Sequence, residues 1–109
     1  MPNTYTNAKK YLTSNGATVL YTAPALTTSI VKSILVSEDS GNADTITLTM
    51  TDTAASPATF SIFKTKSISA NGTAELLTAP LVMKTGEILK VTAATANRLH
   101  VVASILEVS

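Results

Sequence analysis

The 109-residue sequence predicts an all-β fold, an antiparallel sandwich or jelly roll of about seven to eight strands. Three observations carry that expectation. Thr, Ser and Ala number 19, 11 and 15, and Thr, being β-branched, suits the pleated surface of a strand. Apolar residues recur with period two, and no window holds a 3.6-residue stripe. Turn signals punctuate the chain roughly every 10 to 14 residues.

Residues 1–17 read as a polar N-terminal arm or edge segment, and 18–109 as a single β-sandwich domain. In the first segment Tyr5, Tyr11 and Leu12 are the only large apolar side chains after Met1, and Asn15-Gly16 signals a turn because both residues tolerate positive φ. Thr18 to Thr22 places Val19 and Tyr21 opposite Leu20, and Pro24 ends it, since proline cannot donate to a ladder. Ser29 to Glu38 follows, with Ile30, Ile34 and Val36 on one face and Val31 and Leu35 on the other. A strand apolar on both faces is central, or is covered by another subunit.

Thr45 to Thr51 alternates strictly, with Ile46, Leu48 and Met50 on one side and threonines on the other. Ala54-Ala55-Ser56-Pro57 closes it. Thr59 to Thr65 forms a strand around Phe60, Ile62 and Phe63, with Ser67-Ile68-Ser69 continuing after a bend. Asn71-Gly72 marks a tight hairpin, and Thr73 to Thr78 returns. Leu81-Val82-Met83, then Ile88 to Ala93 with Leu89 and Val91 on one face, precede the last strand, Arg98 to Val108. There Leu99, Val101, Ala103 and Ile105 face the core, while Val102, Leu106 and Val108 share the other side.

The composition excludes much. Net charge is +1, so no basic surface for nucleic acid or anionic lipid is visible. Without Cys there are no disulfides, thiolate metal sites or thiol nucleophiles, and a single His leaves no multi-His metal site within one chain. Charged residues are 14% of the chain, against about 25% in ordinary domains, which fits either a surface covered by partners in an assembly or a β domain kept soluble by its Thr and Ser hydroxyls. No run approaches the roughly 18 apolar residues of a membrane span. The opening residues lack an apolar signal core, so synthesis in a cytoplasm is expected.

No motif supports catalysis or a cofactor. His100 has no Ser and acid at triad spacing, and reads as a surface or interface residue. The acidic loop Glu38 to Asp44 offers oxygen ligands near Gly41, but it lacks the ligand ladder of an EF-hand, so a plain turn is expected and no metal is assigned. Asn71-Gly72-Thr73 matches a glycosylation sequon and is read as a turn. The threonine row from Thr45 to Thr51 is a single strict row, short of the several that an ice-binding face needs. Phosphate loops and dinucleotide fingerprints are absent.

Two stretches carry a resemblance. One runs through Asn3-Thr4-Tyr5, Asn7-Ala8-Lys9, Leu12-Thr13, Tyr21-Thr22-Ala23-Pro24-Ala25 and Ile30-Val31-Lys32-Ser33-Ile34. The other runs through Pro80 to Met83, Gly86 to Val91 and Ser104 to Ser109. Together they resemble small all-β virion structural proteins of tailed bacteriophages, including phages of cyanobacteria. One departure is Leu26, where Gly is expected after Tyr-Thr-x-Pro-Ala. The resemblance implies a structural part of a virion, with the major capsid protein or other virion proteins as partners; the composition and motifs above lead to the expectation of no enzyme and no nucleic acid or membrane contact.

The expectation is therefore a capsid decoration (cement) protein that binds between major capsid subunits and stabilises the head. A homo-oligomer is expected, and a trimer would suit the two-faced last strand. Tyr5, Tyr11 and Leu12 are the expected arm anchors, and Val102, Leu106 and Val108 the apolar outer side of the last strand. A neck, tail, baseplate or fibre-attachment component is the first alternative, and a host-glycan binding module the second.

Overall fold

Alternating Thr and aliphatic residues become nine strands in the computed structural model, which describes residues 3–52 and 58–108. They are β1 (Asn3–Tyr11), β2 (Thr18–Thr22), β3 (Thr28–Glu38), β4 (Asp44–Asp52), β5 (Ala58–Ile68), β6 (Thr73–Glu75), β7 (Leu81–Met83), β8 (Ile88–Ala93) and β9 (Leu99–Val108). The expected break at Ala54-Ala55-Ser56-Pro57 lies outside the described residues.

The strands form two antiparallel sheets. The first has the order β1-β9-β3-β6, with β7 also paired to β3, and the second the order β2-β8-β4-β5. Chain topology explains that order. β1 pairs with β9, β2 with β8, β3 with β6 and β7, and β4 with β5. A long antiparallel ribbon is thus folded back on itself and wrapped so that β9 also meets β3 and β8 also meets β4. This is a jelly roll, with its second return strand split into β6 and β7.

The inner faces meet in an aliphatic core. Val31, Ile34 and Val36 of β3, Ile46 and Leu48 of β4, Leu89 and Val91 of β8, and Leu99 to Ile105 at alternate positions of β9 are all buried. β9 keeps strict alternation because it runs between β1 and β3.

β3 departs from the expected phase. The structure buries Val31 together with Ile34 and Val36, and turns Ile30 and Leu35 outward. The cause is a β-bulge between Val31 and Ser33, which inserts one extra residue and shifts every following side chain to the other face. A bulge leaves ladder groups in need of partners, and Glu75 of β6 supplies them. Its carboxylate accepts the Ile34 N–H at 2.8 Å, the Leu77 N–H at 3.1 Å and the Ser33 hydroxyl. Burial opposes ionisation there, but these hydrogen bonds outweigh it and hold the Glu75 carboxyl below its ordinary range.

Other connections differ in reach from the sequence reading. Asn71-Gly72 carries the chain from β5 in the second sheet to β6 in the first, so it is a crossing and not a hairpin. Asn71 takes the left-handed conformation (φ 54), and a Cβ on Gly72 would lie 3.1 Å from the Ser69 carbonyl oxygen. β6 stops at Glu75, short of the expected Thr78. Leu76 then buries its side chain and donates its N–H to the Ile34 carbonyl at 2.8 Å. The expected bend after Thr65 is a left-handed residue (φ 51) within a continuous β5.

Candidate interaction face

The two sheets turn very different outer faces to their surroundings. On the second sheet the outward positions of β4 are Thr45, Thr47, Thr49 and Thr51, with Lys90 and Thr92 of β8 paired beside them. Hydroxyls there bond locally, as in Thr51 Oγ1 to Thr59 Oγ1 at 3.1 Å and the Thr65 N–H to Thr47 Oγ1 at 3.1 Å. That face is polar throughout its centre.

The outer face of the first sheet carries apolar rows, read from the strand register, with a polar row of Asn7, Ser104 and Ser33 between them. Tyr5 of β1 lies beside Leu106 of β9, Leu106 beside Ile30 of β3, and Ile30 beside Val82 of β7. This row crosses four strands. A second row runs from Lys9 through Val102 to Leu35. At one end of the face Asn3, Val108 and Thr28 line up, and at the other Tyr11, His100 and Ser37. Tyr5 is 74% exposed, Val82 56% and Leu35 43%, so these side chains are open to solvent.

Tyr11 and His100 frame one end. Their rings are 4.5 Å apart and tilted by 55°. The Tyr11 hydroxyl donates to the Asn97 carbonyl at 3.3 Å, and His100 Nε2 lies 3.9 Å from an Asp39 carboxylate oxygen. His100 is thus half-buried on the outer surface beside an aromatic ring.

Five of the six residues expected at an interface are gathered on this face: Tyr5, Tyr11, Val102, Leu106 and Val108. Leu12 is not among them. It is 1% exposed and belongs to the core, with its N–H donated to the Leu99 carbonyl at 2.9 Å. The reason is phase, since even positions of the first segment point inward. Sequence reasoning missed Ile30, Leu35 and Val82. For Ile30 and Leu35 a signal exists in the odd spacing from Val31 to Ile34, which unbroken period-two alternation cannot place on one face. Val82 sits in a three-residue strand too short to show a phase.

The acidic loop is organised around Glu38, whose side chain is buried at the end of β3. One carboxylate oxygen accepts the Ser40 N–H at 2.7 Å and the Ser40 hydroxyl at 2.5 Å. The other accepts the N–H groups of Gly41 at 2.9 Å and Asn71 at 3.0 Å. Desolvation pushes the carboxyl upward, yet the four donors together hold it down at about 2. Asp44 accepts the Thr95 N–H at 3.1 Å. These carboxylates tie turns together, and among the described residues no group of three or more His, Asp or Glu side chains is placed to hold a metal ion.

A second polar cluster joins the sheets at the other end. The Tyr21 hydroxyl of β2 contacts Ser29 Oγ of β3 at 2.8 Å and donates to the Glu107 carboxylate of β9. Burial, and then the hydrogen bond to Glu107, push the phenol up to about 12.

No protein-family model matches the sequence, and no curated protein matches it. Solved structures do match the fold. One chain in the structure of infectious bursal disease virus, Gx strain, superposes with a TM-score of 0.56 at 13% identity over 98% of this protein. A chain of the Gt strain structure gives 0.52 at 11% identity, also over 98%. This protein spans 30% of the length of each of those chains. At that identity the likeness establishes one thing, a shared jelly-roll fold over nearly all of the protein.

Proposed function

We propose that the protein is a structural component of a virus particle that packs against neighbouring virion subunits through the outer face of its first sheet. One observation carries the reading. The face presents one row of Tyr, Leu, Ile and Val across four strands and, beyond a polar row, a shorter one of Val102 and Leu35, whereas the opposite face is mostly threonine, serine and lysine, with Val19 and Ile88 toward one edge. Contiguous apolar surface rimmed by polar residues marks interaction sites. The jelly roll is a fold used by viral capsid domains and by lectins, and both structural neighbours come from virus structures. Fold alone does not assign function, so the asymmetric face is the principal support.

Within that reading we take the part to be capsid decoration in a tailed bacteriophage, as the sequence resemblance implies. Many copies would each bury a modest apolar face between major capsid subunits, and their number would multiply a weak contact into resistance to rupture. A net charge of +1 suits a crowded shell, because neighbouring copies repel one another little.

Particle reconstruction tests this directly. Copies at capsid lattice sites, with Leu106 and Ile30 against a neighbour, are the expected result. Copies following tail symmetry would move the assignment to a neck or tail component. A first-sheet face left open to solvent in the particle would overturn the proposal, and glycan binding by the isolated domain would favour the lectin-like alternative.

A further inference from the structure

β1 is an unusual edge strand. It pairs with β9 along its full length of nine residues, yet apart from Ala8 every residue is exposed, so it overhangs the second sheet as a ledge with two bare faces. Its backbone is also aimed. Leu12 donates its N–H to Leu99, its partner in the β1–β9 register. Continuing that antiparallel ladder backward, even-numbered residues bond to β9, and odd-numbered ones turn N–H and C=O toward the free edge. Asn3, Tyr5, Asn7, Lys9 and Tyr11 therefore present a regular row of donors and acceptors. Among the described residues no strand pairs with that edge.

We propose that this edge binds β1 of a second copy of the chain, antiparallel and centred on Asn7. The β1 sequence selects this register. Centring on Asn7 pairs all nine residues, with Asn7 opposite Asn7, Tyr5 opposite Lys9, Thr4 opposite Lys10 and Asn3 opposite Tyr11. It places the two Lys9 residues about 14 Å apart and the two Lys10 residues about 20 Å apart along the strands. Both spacings exceed the screening length of about 8 Å at physiological salt. Sliding to centre on residue 9 or 10 would set lysine directly against lysine, so the lysines act as a register lock and not only as edge guards.

The neighbours across the seam are complementary. On the inner side Thr4 lies beside Glu107, so Lys10 of the second copy faces that carboxylate across one strand. On the outer side Lys9 of the second copy falls beside the Tyr5 ring, where the ammonium can sit over the aromatic face. The same pairing fuses the two apolar rows. Val82, Ile30, Leu106 and Tyr5 of one copy run on into Lys9, Val102 and Leu35 of the other. The two-fold axis repeats the band in the opposite sense, and the four-strand path of the first sheet becomes a continuous sheet of eight.

This inference concerns the free protein and stands apart from what the outer face binds. Sedimentation equilibrium of the full chain at sub-millimolar concentration should show a dimer. Asn7→Pro should give a monomer with an unchanged circular dichroism spectrum, because the N–H it removes faces away from β9. The chain has no Cys, so an engineered cysteine is the sole thiol. Asn7→Cys sits at Cα–Cα separation of about 5.5 Å from its mate, within disulfide range. It should oxidise to a covalent dimer more than about tenfold faster than Tyr5→Cys, whose mates lie four residues out of register. A monomeric or trimeric wild type, a dimeric Asn7→Pro, or equal cross-linking of the two cysteine variants would each overturn the proposal.

Discussion

Leu26 shows how much a single residue can reveal. It stands 91% exposed between β2 and β3 with φ of 56°, a conformation that suits Gly. The sequence resemblance asks for Gly at the same place, so the departure and the backbone agree. Leu26→Gly should stabilise the protein by about 1 kcal/mol, read as a rise in the urea midpoint with an unchanged slope. Tyr21 has the opposite character. Tyr21→Phe would leave Ser29 and Glu107 without their shared partner, and should destabilise by about 1–2 kcal/mol.

The same residues set the pH limits. Glu38 and Glu75 have lowered carboxyl pKa values in the folded state, so their contribution is complete above the ordinary carboxylate range and is lost as pH falls. For Glu38 the window runs from about 4.5 down to about 2. Tyr21 is raised from 10.0 to about 12, so its contribution is present below pH 10 and disappears as pH climbs through that interval. Stability curves against pH should show both shoulders. Glu38→Gln should flatten the acid one, and Tyr21→Phe should remove the alkaline one.

At the scale of elements, β3 marks where sequence legibility stops. β4, β8 and β9 were readable residue by residue, because nothing interrupts their period of two on the faces that the core buries. β3 was readable as a strand but not in phase. Its bulge depends on Glu75, more than forty residues away in sequence, which satisfies the displaced Ile34 amide. The residues that share the outer face of the first sheet followed the same division. Those on β9 and at odd positions of β1 were legible, whereas Ile30 and Leu35 were hidden by the shifted phase. Leu12 resembled its neighbours in type but not in direction. Adjacent residues of β3 should therefore have contrasting fates. Ile34→Ala should cost about 2–5 kcal/mol, and Leu35→Ser less than about 1 kcal/mol. Unbroken alternation would reverse that order, so paired denaturation curves check the bulge itself.

For the whole molecule, the wrapped ribbon makes the first and last strands partners. Removing residues 1–12 would take Leu12 from the core and uncover the edge of β9, so the truncated chain should lose much of its thermal stability. Point changes on the outer face, such as Leu106→Lys, are the cleaner way to separate binding from folding. Jelly-roll topology was legible only as a class from the sequence. Strand count and spacing admit several wrappings, and the pairing of β1 with β9 joins residues about a hundred positions apart, a separation over which local pattern carries no information.

That pairing also determines how the molecule bears load. Asn3 lies against Val108, so both ends of the strand pair emerge at the same end of one antiparallel ladder. Tension between those ends meets the β1–β9 bonds one pair at a time and peels them like a zipper. Tension between Tyr11 and Val108, at opposite ends of the two strands, loads the whole ladder together in shear. Single-molecule pulling between these two sets of points should give a clearly lower rupture force for the first. The β1–β9 ladder is therefore strong against load along its length and weak where load enters through the adjoining residues Asn3 and Val108.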